Sequence, residues 1–146
     1  MVVLEGVFDI GLSSLMDVIG IARELTPSDQ HSESLNIELV GVRRRVKTAQ
    51  GLSVPVKRAS ELSAPDLVLI PALGVKMPVA LEAALDRRDV KDFSQCITRW
   101  AEAGASIGAA CTGTFLLAET GLLNGQRATT SWWLSSLFRQ RYPAIT

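Results

Sequence analysis

Histidine and cysteine are scarce in this 146-residue chain, which has one histidine, His31, and two cysteines, Cys96 and Cys111. Two cysteines make no disulfide framework, and neither has a second ligand at metal-binding spacing, so no metal or other cofactor site is expected. Formal net charge is zero, from 15 basic and 15 acidic residues, which removes any global electrostatic reason for a nucleic-acid or anionic-membrane partner. No apolar run nears the ~20 residues of a membrane-spanning helix. The opening MVVLEGVFDI carries no basic leader, so no membrane partner and a cytoplasmic location are expected. What is present is 47% hydrophobic and 21% charged, the balance of a chain that buries a core. At this length one domain, residues 1–146, is expected.

Residues 2–8, VVLEGVF, form a β-branched and aromatic run that predicts a buried strand ending at a Gly-Leu-Ser-Ser turn. Ser14 with Asp17 resembles a capping box, and Leu15, Val18, Ile19, Ala22 and Leu25 recur at helical spacing until Pro27. The polar stretch 26–34 predicts a loop, with His31 as a solvated loop residue. Residues 35–42 alternate as a strand, and VKTAQGLSVPVKR predicts a hairpin around Gly51. The apolar run APDLVLIPA, residues 64–72, predicts a strand buried on both faces. Val90, Phe93, Ile97, Trp100 and Ala101 then mark one face of a helix from Asp89 to Ala103, stopped by Gly104. ASIGAA predicts a last strand, running directly into Cys111 and a helix that reaches Gly121. This alternation implies an α/β three-layer sandwich with a mainly parallel sheet, whose ligand sites collect where strand ends meet helix starts.

Cys111 lies at such a junction. The helix dipole and free backbone amides there favour a thiolate and can cradle an oxyanion. Gly113 is expected to give the tight turn, and Gly108 with its neighbouring alanines to permit close approach of adjacent elements. A buried, inert cysteine in a βα turn is the competing reading.

IGAACTGTFLLAETGLLNGQRATTSWW resembles the central signature of the DJ-1/PfpI (class I glutamine amidotransferase-like) superfamily, in the version fused to AraC-type DNA-binding regions in GlxA-like regulators. DLVLIPALG and VFDIGLSSLMDVIG are similar to that family's facing strand and loop and its first βα unit. The resemblance implies a flavodoxin-like sandwich, with Cys111 in the nucleophile position. It also places ligand contacts at Cys111, Thr112, Gly113, Ala72, Leu73, Gly74 and Ser131. Enzymatic members carry histidine where this chain has Thr112 and Ser131, and DJ-1-type members carry a glutamate near Gly11 and Leu12. A cysteine nucleophile needs a base or cation within reach, so loss of hydrolase or glyoxalase chemistry is expected, leaving Cys111 as a vestigial nucleophile.

Three further features are expected to be structural. RRRVK, Arg43 to Lys47, is read as a charged hairpin face rather than a nucleic-acid site, since no recognition helix or aromatic platform accompanies it. Trp132, Trp133, Leu134, Leu137 and Phe138 form an apolar stripe read as core, with one tryptophan available to a dimer contact. Cys96 is read as a boundary residue without chemistry. By resemblance, the family continues past the last residues, RYPAIT, with more of the sandwich and a helix-turn-helix region, so the chain is read as truncated at its C-terminus. The leading expectation is the effector-sensing and dimerisation domain of an AraC-family regulator. It would be a homodimer that binds a small-molecule effector and reaches DNA through a region outside this chain. The alternatives are a cysteine-dependent amidase, hydrolase, hydratase or glyoxalase, and a dimerisation scaffold without ligand.

Overall fold

A computed structural model describes residues 1–26 and 35–146. The expected loop 26–34 and His31 therefore fall almost entirely outside the described residues. The elements are α1 (Asp9–Leu25), β1 (Val40–Gly41), β2 (Arg45–Lys47), β3 (Ser53–Pro55), β4 (Lys57–Arg58), β5 (Leu67–Ile70), α2 (Pro78–Leu85), α3 (Arg88–Glu102), β6 (Ser106–Ala109), α4 (Gly113–Glu119) and α5 (Ser135–Arg141).

Parallel pairing joins β4 to β1 and β5 to β6. The N-terminal segment closes the gap between these pairs: Val2 N–H donates to Leu69 O and Val3 N–H to Val40 O, both at 2.8 Å. The order across the sheet is thus β4, β1, residues 2–3, β5, β6. The segment alternates as strand geometry requires, since Val2 and Leu4 join one apolar cluster and Val3 and Val7 the other.

The larger cluster packs one sheet face against Leu81, Phe93, Ile97, Phe115, Leu134 and other side chains of the later helices. On α3, Val90, Phe93, Ile97 and Trp100 are buried along one stripe, and Phe93 meets Trp100 edge to face at 5.8 Å. Each such side chain contributes about 1.5–3 kcal/mol by leaving water. Gly104, at φ 98°, ends this helix as its sequence position suggests. On the other face, Leu12 and Met16 of α1 meet Val46 and Val56. The result is a three-layer α/β sandwich of the flavodoxin-like kind.

Several local expectations are corrected. The first helix begins at Asp9, so Gly-Leu-Ser-Ser lies inside it, and no side chain caps it. The chain direction is set instead by a tertiary bond, Phe8 N–H donating to Ala72 O at 2.8 Å, and Phe8 O then accepts the first bond of the helix from Leu12 N–H at 2.9 Å. The Ser14 hydroxyl bonds back to Ile10 O at 2.6 Å, as a serine within a helix does. Only the start of α1 packs deeply, so Val18 and Leu25 of the expected apolar face are 65% and 78% exposed. The strand expected over 35–42 pairs only at Val40–Gly41. The hairpin forms as expected, with Val46 opposite Val54. Helix α2 was not foreseen, because PVALEAAL has apolar residues on every side; Pro78 at its first turn favours its start.

Candidate functional site

Strand β6 ends at Ala109, Ala110 N–H donates to Ile70 O at 3.0 Å, and α4 starts at Gly113. The turn between them falls on Cys111 itself, at φ 55°. A left-handed conformation costs a non-glycine residue roughly 1–2 kcal/mol, and here it leaves the cysteine exposed at the carboxyl edge of the sheet. Gly113 therefore does not supply the turn. Its role is close approach: a Cβ there would stand 2.5 Å from Ile70 O and 2.7 Å from Pro71 O.

The Cys111 sulfur lies 2.7 Å from the Ser131 hydroxyl, and Ser131 is buried. Thr130 Oγ1 donates to Cys111 O at 3.0 Å, fixing the elbow from the same segment. Thr112 is buried and its hydroxyl donates to Leu73 O at 3.0 Å, which ties the elbow to the loop after β5. That loop is held in turn by Ala72 O, which accepts from Phe8, and by Gly74 N–H, which donates to Gly6 O at 2.7 Å. Gly74 tolerates no Cβ, since one would lie 2.2 Å from the Ala49 Cβ. The structure thus brings Cys111, Thr112, Gly113 and Ser131 together with the 72–74 loop. Of that loop, the Ala72 and Leu73 side chains are buried and face packing, not solvent.

The arrangement offers one exposed thiol, one buried hydroxyl beside it, and the amides of Cys111 and Thr112, which have no acceptor among the described residues. No ionisable side chain hydrogen-bonds Cys111 or Ser131 among the described residues. Gly11, where the resemblance would place a glutamate, is near the Ala72 backbone, and the neighbouring Asp9 accepts from the Gln50 amide at 3.1 Å. Such a site can hold a small polar ligand by hydrogen bonds; among the described residues no base stands within hydrogen-bond reach of the thiol.

Leu134 and Phe138 are core residues, as expected, but Trp132 and Trp133 are 82% and 47% exposed. They lie in a 3-10 turn, Trp132–Leu134, where successive side chains fan out about one per third of a turn, so Leu134 alone reaches the core. Trp133 Nε1 donates to Lys76 O at 3.2 Å. Sequence reasoning missed this link and also a polar cluster that fastens α5 to α4: Arg141 Nε donates to Glu119 at 2.8 Å, and Tyr142 O–H bonds the same carboxylate. Burial, then the Glu119 charge and hydrogen bond, push the Tyr142 phenol above its ordinary pKa. No periodicity or motif announces that triad. Cys96 is half-buried, with Arg99 Nη2 3.2 Å from its sulfur. A cavity of about 520 Å³ opens at the opposite, amino edge of the sheet beside Met1, Glu38, Asp66 and Trp100, and Cys111 is not among its lining residues. Among the described residues no three His, Cys, Asp or Glu side chains converge as for a metal, and no helix is long and apolar enough to cross a membrane.

The parallel sheet and its flanking helices form a flavodoxin-like sandwich, with Cys111 held at positive φ between strand and helix. The chain belongs to the DJ-1/PfpI family, whose profile matches residues 1–140. It is similar to an uncharacterized protein in the cpoL 5' region of Streptomyces lividans, 24% identical over 131 residues, covering 89% of this chain and 88% of that protein. Two solved structures share the fold. A proposed transcriptional regulator from Vibrio parahaemolyticus has a TM-score of 0.77 at 20% identity, over 99% of this chain and 72% of that one. An AraC family transcriptional regulator from Pseudomonas putida has a TM-score of 0.74 at 16% identity, over 99% and 71%.

Proposed function

We propose that this chain is the effector-sensing and dimerisation domain of an AraC-family transcriptional regulator, acting in the cytoplasm. A small metabolite binds beside Cys111, and DNA is contacted through a helix-turn-helix region C-terminal to residue 146. The observation that carries this reading is the contact between Cys111 and Ser131: the nucleophile position is kept, with a hydroxyl where a base would be needed. The names of the two regulators that share the fold support it. The ligand contacts are the free amides of Cys111 and Thr112, the thiol, the Ser131 hydroxyl, and the backbone of Gly113 and of Ala72 to Gly74. Sensing then works by linkage: a ligand shifts the homodimer between two states only by its differential affinity for them.

The test is a thermal-shift screen of small nitrogenous metabolites, since binding to the folded state alone raises stability. The expected result is a hit whose shift is lost in Cys111→Ala and Ser131→Ala. Silence across the panel overturns sensing and leaves a dimerisation scaffold. An encoding frame that stops at Thr146 overturns the regulator reading. The strained φ of Cys111 favours a second reading, a cysteine-dependent amidase, hydrolase or glyoxalase. Turnover of amide or dicarbonyl substrates that disappears in Cys111→Ser would establish it in place of the first.

A further inference from the structure

Helix α1 carries apolar side chains on two opposite faces. Leu12 and Met16 pack inward against Val46 and Val56. At 100° per residue, Ile10, Ser14, Val18, Ile21 and Leu25 fall within about 80° of one another on the outer side. The described residues leave that stripe uncovered: Ile10 is 67% and Ile21 55% exposed, and Val18 and Leu25 are comparably open. A helix that is apolar all round belongs in an interior. The one polar member, Ser14, donates to Ile10 O at 2.6 Å, and Ser13 beside it donates to the same carbonyl at 3.3 Å, so both hydroxyls keep a partner when water is removed.

The stripe is complementary to itself. A second copy laid antiparallel, about a two-fold axis between Asp17 and Val18, sets Ile10 against Leu25 and Ser14 against Ile21, each contact occurring twice. A small side chain thus faces a large one, and Val18 meets Val18 near the axis. Scaled by its exposure, the stripe presents about 500 Å² per copy, so the pair buries about 1,000 Å², the size at which a specific interface begins. A membrane surface is the wrong cover. Helices that lie on lipid flank their apolar face with Lys and Arg, whereas Asp17 and Glu24 flank this one on one side and Gly11 and Ala22 on the other.

We infer that α1 is the homodimer face, packed antiparallel on α1 of a second copy through Ile10, Ser14, Val18, Ile21 and Leu25. The inference deepens the regulator reading and rests on it only for the expectation of a homodimer. The helix starts directly after Phe8, whose N–H is held by Ala72 of the loop after β5, so the two-fold axis and the proposed ligand contacts share one rigid element. The same axis brings the two Asp17 carboxylates together at the rim of the contact, where they repel.

The experiment is sedimentation equilibrium of the full chain over a range of protein and salt concentrations. A dimer with a micromolar dissociation constant is expected, tightening as salt screens the Asp17 pair. V18E/I21E, checked for an unchanged circular-dichroism spectrum, weakens it at least about 100-fold, because each substitution enters the contact twice. D17N tightens it by about threefold at low salt. S14I separates a shaped contact from a merely sticky one: it adds apolar surface yet weakens the dimer at least about tenfold, since the facing Ile21 loses its space. Should V18E/I21E fail to fold, S14I and D17N carry the test. A monomer at every concentration overturns the inference and the homodimer with it. A dimer that survives V18E/I21E, or that S14I tightens, overturns the face and leaves the homodimer standing. Failure of D17N to tighten the dimer overturns the antiparallel arrangement. A monomer whose binding to phosphatidylcholine vesicles is lost in V18E/I21E would give the face to a lipid surface. The metabolite screen reads the Cys111 site alone, so its outcome and this one are independent.

Discussion

The Cys111 sulfur and the Ser131 hydroxyl stand 2.7 Å apart, joining an exposed elbow cysteine to a buried serine twenty residues later in the chain. Either atom can donate in this contact. Among the described residues the Ser131 hydroxyl is the side-chain group within hydrogen-bond distance of this sulfur, so it is placed to orient the sulfur for reaction. Ser131→Ala is therefore expected to slow alkylation of Cys111 by iodoacetamide at neutral pH by roughly tenfold. Cys96 serves as the internal control, read by mass spectrometry of each peptide. An unchanged or faster rate at Cys111 would show that Ser131 only accepts from the thiol.

Gly113 and Gly20 should respond in opposite directions to the same added methyl group. At Gly113 the new Cβ would press on two carbonyl oxygens, at 2.5 and 2.7 Å, and backbone cannot swing aside as a side-chain end can. Gly113→Ala is expected to cost about 3 kcal/mol, or about 10 °C in Tm for a chain of this size. At Gly20, inside α1, nothing lies within 4 Å of the new atom, and Gly20→Ala should gain up to about 1 kcal/mol of helix propensity. Calorimetry of both variants checks the pair. Equal melting temperatures would contradict the packing at the elbow.

The fold was legible where a single periodicity met a single environment. Val90, Phe93, Ile97 and Trp100 repeat every three or four residues because one sheet face covers α3, and all four are buried. Leu67–Ile70 reads as a strand because the run is apolar and short. Helix α1 was less legible because its boundary is set by partners distant in sequence, such as Ala72, which binds Phe8. The elbow was located through Cys111, but its strain was assigned to Gly113: spacing shows where a turn falls, while φ depends on which residue must make room for the facing strand. The polar group of Glu119, Arg141 and Tyr142 joins residues from two helices and carries no local signal at all.

The aromatic turn separates core from surface within three residues. Leu134 is fully buried and Trp132 largely exposed. Leu134→Ala is expected to cost about 2–5 kcal/mol, and Trp132→Ala to stay within about 0.5 kcal/mol of the parent in denaturant titrations. Removing Trp132 should also move the tryptophan emission maximum to shorter wavelength, because buried Trp100 and half-exposed Trp133 then account for the signal. A large loss of stability in Trp132→Ala would place that ring in an interface instead.

Tyr142 ties stability to alkaline pH. Its phenol is half-buried beside the Glu119 carboxylate, which accepts its hydrogen bond, and both effects raise its folded-state pKa above the ordinary value near 10. Between the unfolded and folded values the native chain holds more protons than the unfolded one, so the slope of stability against pH is negative there. The contribution is complete below about pH 10 and is lost as pH rises toward the folded value. Tyr142→Phe removes the titration together with one hydrogen bond. Its melting temperature should be lower than the parent's near neutral pH, by the equivalent of about 1 kcal/mol, and the difference should shrink above about pH 10. Melting curves for the two proteins from pH 7 to 11 provide the check; curves that stay parallel across that range would show that the phenol titrates alike in the folded and unfolded chains.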